Sequence, residues 1–258
     1  MKKLTIIFSL VALVALAAFG QFFSLNNPVF IASLGNSSVF SSFPSGCAAY
    51  YKLDEASGSI MDATGNGNTL APVGGGQTYS EAGVINTAIL FAMDNSSSFK
   101  AAVTPIDFST DFTVSAWVKT ANAGNGYNVY FSSESAGETA GMIAAIHNGT
   151  VFLYAGGSGF GVLQGATSVA DGAWHHVVVT FTTSHAIMYV DGAVDTDFGA
   201  VTPPATGILT GTGIGSYSPG ITGWNFDGTL DEIGLWNRAL TPAEVTALYN
   251  SGAGLPFN

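Results

Sequence analysis

The stretch Gly228-Thr-Leu-Asp231-Glu232-Ile-Gly-Leu-Trp236-Asn-Arg238-Ala-Leu-Thr241-Pro242-Ala-Glu244-Val-Thr-Ala-Leu-Tyr249 reads as a strand, a tight link and a short capped helix. Thr241 is an N-cap residue type, Pro242 suits the first helical position, and Glu244 stands three residues after the cap, as a capping box requires. Val245, Leu248 and Tyr249 follow at helical spacing, and Gly252 can end the turn. A strand that hands the chain to one small terminal helix predicts how a sheet domain is closed.

Upstream of this block, strand signals follow one another from residue 48. They cover 48–53, 88–91, 98–103, 112–119, 127–132, 141–147, 150–154, 174–181, 186–190 and 207–217. Asn148-Gly149 joins two of them as a tight hairpin, and Asp191-Gly192 begins another turn. Short strands with regular turn signals, 33 glycines and few charges predict one all-β domain, a sandwich of antiparallel sheets. Trp117, Trp174 and Trp236 lie inside strand-like runs, and the expectation is that their rings fill the space between sheets. Val177, Val179 and Phe181 alternate as one inward face.

The ends of the chain read differently. Lys2-Lys3 and the apolar run to Phe19 have the form of a secretory leader, with Ala18-Phe19-Gly20 offering a cleavage site before Gln21. The alternative is an uncleaved N-terminal anchor, for which the run falls short of the ~20 residues that span a bilayer comfortably. Residues 21–47 form an uncharged, apolar linker or packing arm, and the domain occupies 48–258. Without Lys2 and Lys3, four cationic side chains face 17 carboxylates, a net charge near −13. That balance disfavours nucleic acid and anionic lipid, leaves membrane contact only to an uncleaved leader, and tolerates calcium. Cys47 is the single cysteine, so no intrachain disulfide is available. The Asn-x-Ser/Thr sequons at Asn36, Asn95 and Asn148 matter only in a glycosylating host.

Several blocks resemble one family in order and spacing over about residues 48–250. Tyr51-Lys-Leu-Asp54-Glu55-Ala-Ser-Gly58 with Asp62-Ala-Thr-Gly65-Asn66-Gly67-Asn68 resembles the opening of laminin-G-like jelly rolls of the concanavalin A-like lectin/glucanase superfamily. Asp111 to Val118, Asp171 to Phe181 with Met188 to Gly192, and Asp231 to Tyr249 are similar to its central strand, its recurrent strand pair and its closing block. The resemblance implies a two-sheet antiparallel jelly-roll β-sandwich with a short C-terminal helix. It further implies glycan or extracellular-protein binding outside cells, often with one structural calcium.

Candidate site residues follow. Asp62, Asn66 and Asn68 sit in a glycine-broken loop that either gathers oxygens around Ca2+ or bonds its own turn backbone. The family pattern implies that Asp54 and Asp231 lie near this loop. Trp224, Tyr217 and Phe160 are aromatics in loop-like stretches, and with Asn225 they form the expected ligand-binding set, the rings stacking on a pyranose or else capping the core edge. Catalytic residues are not expected: the superfamily's Glu-x-Asp-x-x-Glu run is missing, and Glu134 with Glu138 is a weak acid/base pair. His175 and His176 point to opposite faces of a strand.

These readings together predict a secreted or cell-surface, non-catalytic module that binds carbohydrate or mediates adhesion. The alternative is a structural subunit or decoration of a surface assembly (envelope, appendage or virion), self-assembling through residues 21–46. A glycan-cleaving enzyme is the third reading.

Overall fold

A computed structural model describes residues 42–93, 97–124, 126–134, 141–155, 161–201, 211–217 and 224–258. The leader, the arm up to Ser41, the sequons at Asn36 and Asn95, Glu138 and Phe160 lie outside the described residues, as does the side chain of Glu134.

The strands, in chain order, begin with β1 (Cys47–Tyr51), β2 (Ala71–Val73), β3 (Thr78–Ala82), β4 (Thr87–Phe91) and β5 (Ser98–Ala101). Next come β6 (Phe112–Lys119), β7 (Asn128–Glu134), β8 (Gly141–His147), β9 (Thr150–Ala155) and β10 (Val162–Ser168). The last are β11 (Trp174–Thr182), β12 (His185–Val190), β13 (Ala193–Ala200), β14 (Gly211–Ile214) and β15 (Gly228–Trp236), before helix α1 (Pro242–Tyr249). One sheet has eight strands in the order β13-β12-β11-β6-β15-β4-β3, with β1 pairing β15. The other has seven, β10-β9-β8-β7-β14-β5-β2, and all pairings are antiparallel. This is the expected two-sheet jelly-roll sandwich, closed where the last strand returns beside the first.

Hydrophobic alternation assembles the core. From the larger sheet Val114, Ala116 and Val118 of β6, Val177, Val179 and Phe181 of β11, and Leu230, Ile233 and Leu235 of β15 point inward. Tyr130, Phe131, Ala144, Ile146, Val151 and Leu153 meet them from the smaller sheet. The hairpin turns follow their chemistry: Asn148 and Asp191 adopt φ of 51° and 52°, and Gly149 and Gly192 follow at 80° and 76°.

Helix α1 covers the outer face of the larger sheet. Thr241 Oγ1 accepts the Glu244 N–H and the Glu244 carboxylate accepts the Thr241 N–H, so the capping box forms. Val245 and Leu248 pack on Tyr50, Val178, Tyr189, Trp236 and Leu240. All three tryptophan expectations therefore need correction. Trp117 and Trp236 are buried, yet not between the sheets: they alternate with the inward residues and lie on the outer face. Trp236 belongs to the cluster beneath α1, and Tyr249 of α1 stacks on Trp117 with centroids 5.7 Å apart. Trp174, at the end of β11, is only half-buried.

Four strands escaped the sequence reading: β2, β3, β10 and β13. They are the two outermost strands of each sheet path. Their neighbours bury little of them, so the apolar alternation that reveals a strand is weak there.

Candidate functional site

The residues on the outward face of the smaller sheet collect an aromatic group. Val129, Ile143, Ala145 and Phe152 alternate with the core residues of β7, β8 and β9 and form a separate apolar cluster. Tyr127, Tyr217 and Trp224 pack over it, each half-buried. Trp224 lies 4.7 Å from Tyr127 and 5.1 Å from Tyr217, centroid to centroid. His147 stacks on Tyr127 at 4.6 Å with 23° between planes.

Hydrogen bonds hold the described residues on either side, 215–217 and 225–226. The Ser132 hydroxyl donates to the carbonyls of Ser216 and Tyr217, at 2.8 and 2.9 Å. Ser216 and Asn225 form an isolated bridge, and Phe226 N–H donates to Gly215 O. Trp224 and Tyr217 are thus brought together as expected. Tyr127 and His147 join them and were missed, because both sit at strand ends where a core role is the ordinary reading. Asn225 is buried at 4 % exposure with its Oδ1 unpartnered, so it faces the protein rather than solvent. Phe160, the fourth residue of the expected set, is among those not described.

The acidic candidates separate into two groups. Asp62 is a hydrogen-bond hub. Its Oδ1 accepts from Tyr50 N–H, Thr64 N–H and the Thr64 hydroxyl, and its Oδ2 from the backbone and side-chain N–H groups of Asn68. Burial alone raises its carboxyl, but the bonds from Thr64, Asn68 and Tyr50 outweigh this and hold it below the usual range. The Asn66 and Asn68 amides both donate to Ala48 O. These oxygens and amides already bond the turn, so the loop does not fit a calcium cradle.

Asp231 bonds a different turn. A bulge in β15 at Glu232, whose φ is 49°, places two acidic residues in succession between the inward Leu230 and Ile233. Asp231 Oδ2 accepts the Val84 and Ile85 N–H groups at 2.7 and 3.2 Å. A Cβ on Gly83 would come within 2.7 Å of that oxygen, so the approach depends on glycine. Asp54 anchors the same turn through Asn86 and Thr87. Asp231 is fully buried with Oδ1 unpartnered, and Glu232 Oε2 is unpartnered too. Burial, then the adjacent Glu232, pushes the Asp231 carboxyl up to about 8, and burial pushes Glu232 up to about 7. An orphaned, buried carboxylate oxygen beside two further acids fits a cation. Among the described residues no three His, Cys, Asp or Glu side chains form a metal-ligand group, so backbone carbonyls would have to complete any shell.

Other histidines and the cysteine bond groups elsewhere in the sheets. His175 bonds Asp191 at 2.8 Å and Asp171 at 3.2 Å. His176 Nε2 meets Ser115 Oγ at 2.9 Å, but the pair is buried and His176 Nδ1 has no partner. The Cys47 thiol donates to Ala49 O, and burial pushes it up to about 12. No described helix is long and apolar enough to cross a membrane.

Comparison with known proteins places this geometry. No curated protein matches the sequence. Among solved structures, domain 4 of AbnA, an extracellular arabinanase from Geobacillus stearothermophilus in complex with arabinotriose, superposes with a TM-score of 0.60 at 21% identity. The match covers 78% of this chain and 97% of that one. The binding domain of botulinum neurotoxin serotype G gives 0.61 at 15% identity, covering 79% of this chain and 50% of that one. Trypanosoma rangeli sialidase in complex with sialic acid gives 0.61 at 14% identity over 84% of this chain and 35% of that one. The chain therefore spans nearly all of the arabinanase domain, half of the toxin domain and about a third of the sialidase, and at these identities the likeness is one of fold. The sequence profile of the concanavalin A-like lectin/glucanases superfamily matches residues 93–246. On that match and the two-sheet architecture, the chain belongs to the laminin-G-like family of this superfamily.

Proposed function

We propose that the protein is an exported, non-catalytic module that binds glycan through the aromatic surface built by Trp224, Tyr217 and Tyr127. The observation that carries this reading is the aromatic group on the outer face of the smaller sheet, held in place by Ser132. Half-buried rings keep a fixed orientation while leaving an edge or face for the C–H side of a sugar. The arabinanase domain and the sialidase, solved with arabinotriose and sialic acid, lend support at the level of fold. A structural calcium beside Asp231, with Asp54 nearby, is part of the proposal; bound there, it would supply positive charge against the buried acids.

A glycan array probed with and without chelator tests the reading. Binding to a defined set of glycans, weakened at least tenfold in Trp224→Ala with unchanged thermal stability, is the expected result. Absence of binding to every glycan, with association of the full chain in solution, would replace this reading with the surface-assembly subunit.

A further inference from the structure

A cavity of about 540 Å³ opens at one end of the larger sheet, beside the segments 119–122 and 227–229. Leu90, Lys119, Thr120, Asn122, Asp227 and Thr229 line it. Strand register explains the arrangement. Leu90 pairs with Thr229, Thr229 with Lys119, and Lys119 with Trp174. Side chains of directly opposed residues share a face, so these four form one row across β4, β15, β6 and β11. With strands spaced about 4.8 Å apart the row is about 14 Å long. The next row inward carries Trp117 and His176, on which Tyr249 of α1 stacks. The end row lies beyond those contacts: Leu90 is 36 % exposed, Lys119 is exposed, and Trp174 is half-buried.

The rim is built rather than incidental. The Thr120 hydroxyl, buried, donates to Asp227 O at 2.6 Å and accepts from Asn122 N–H and Asn128 Nδ2. Asn128, also buried, accepts the Asp227 N–H. Gly172 N–H donates to Thr120 O, tying in the turn before Trp174. These bonds fix the segments that present Lys119, Asn122 and Asp227.

Two charges stand in this cavity without joining. Arg238 is paired with Glu244, whereas the Lys119 ammonium has no side-chain partner among the described residues. Asp227 Oδ2 receives only the long 3.4 Å contact from Asn122 Nδ2. An ammonium, a carboxylate, a carboxamide and a threonine hydroxyl beside Leu90 match a polyhydroxylated ligand with an apolar face.

We propose that this row is a second glycan-binding site, taking a neutral segment of two or three pyranose units, with Asp227 accepting sugar hydroxyls and Lys119 donating to them. A net charge near −13 sets the chain against polyanionic glycans, which selects the neutral class. The proposal shares its ligand class with the function proposed above but not its site.

The test titrates the full chain with cellotriose, maltotriose and mannotriose, following backbone amide shifts by NMR. Shifts confined to residues 119–122, 172–174 and 227–229, with affinity reduced at least tenfold in Asp227→Asn and in Lys119→Gln, are expected. Trp224→Ala should change that affinity less than twofold. Saturable binding that moves only the Trp224 region, or is indifferent to both pocket variants, overturns this site and leaves the aromatic reading standing. Binding lost in the pocket variants and untouched in Trp224→Ala upholds it and leaves the aromatic reading to the glycan array. No shifts from any of the three sugars also overturns it. Unchanged thermal midpoints in Asp227→Asn and Lys119→Gln establish that the folded protein is being read.

Discussion

Arg238 and Glu244 form a bidentate pair, Nη2 to Oε1 at 2.7 Å and Nη1 to Oε2 at 2.9 Å. The same carboxylate closes the capping box of α1, and the same guanidinium donates to Ser45 O ahead of the first strand. One ion pair thus links helix start, last strand and chain entry. The pairing with Arg238 holds the Glu244 carboxyl down to about 2. Because its folded-state value lies below the ordinary one, its stabilisation is complete above about pH 4.5 and is lost as pH falls toward 2. Glu244→Gln should cost about 1–2 kcal/mol at pH 7. Urea unfolding should show that difference vanish toward pH 2.

His176 gives a separate window. It is fully buried against Ser115 and Trp117, and burial lowers its imidazole to about 3. The unfolded chain therefore takes up a proton near pH 6.5 that the folded protein refuses. Stability must fall as pH drops from about 6.5 toward 3, by up to about 1.4 kcal/mol per pH unit from this group. His176→Gln should flatten that slope between pH 6 and 4, whatever its effect on stability at pH 7. An unchanged slope in denaturant titrations would assign the acid sensitivity elsewhere.

Much of this fold is legible in the sequence, for identifiable reasons. Thr241, Pro242 and Glu244 encode the helix start locally, and Asn148-Gly149 and Asp191-Gly192 encode their turns, because each depends on few neighbours. Face assignment is another matter. Alternation in β6 separates Val114, Ala116 and Val118 from Ser115 and Trp117, but both sets are buried since a helix covers the outer side. Trp117 and Trp236 consequently look like inter-sheet residues in sequence and are not. The site shows the same limit. Trp224 and Tyr217 stand out as loop aromatics, whereas Tyr127 and His147 become partners only through strand pairing. Asp62 and Asp231 are alike in sequence, and only the donors around each distinguish a satisfied hub from an orphaned carboxylate.

Trp236 locks the chain entry onto this outer face. Its ring is fully buried, its Nε1–H donates to Pro44 O at 3.2 Å, and Phe43 stacks on it with centroids 5.8 Å apart. Trp236→Ala should cost about 3–5 kcal/mol. Trp236→Phe keeps the ring contact and loses one hydrogen bond, about 1 kcal/mol. Backbone hydrogen–deuterium exchange over residues 42–47 should be faster in the alanine variant than in the phenylalanine one. Equal rates would show that the Phe43 segment is held by Tyr50 and Phe257 instead, whose rings lie 5.0 and 4.8 Å from it.

Calcium distinguishes the two acidic groups experimentally. If a cation sits beside Asp231, it offsets a buried negative charge that the protein leaves without a donor on Oδ1. Adding calcium to chelator-treated protein should then raise the unfolding midpoint by several degrees, since a ligand that binds only the folded state stabilises in proportion to the logarithm of its concentration. Asp231→Asn should abolish that increment while preserving the bonds from Val84 and Ile85, because an amide oxygen accepts both. Asp62→Ala should behave oppositely. It removes the acceptor for Tyr50, Thr64 and Asn68, costing about 3 kcal/mol, and the loss should be the same with calcium or chelator. A calcium-dependent loss in Asp62→Ala would move the cation to the 62–68 loop. No calcium response in the unmodified protein would leave Asp231 as a carboxyl kept neutral by burial.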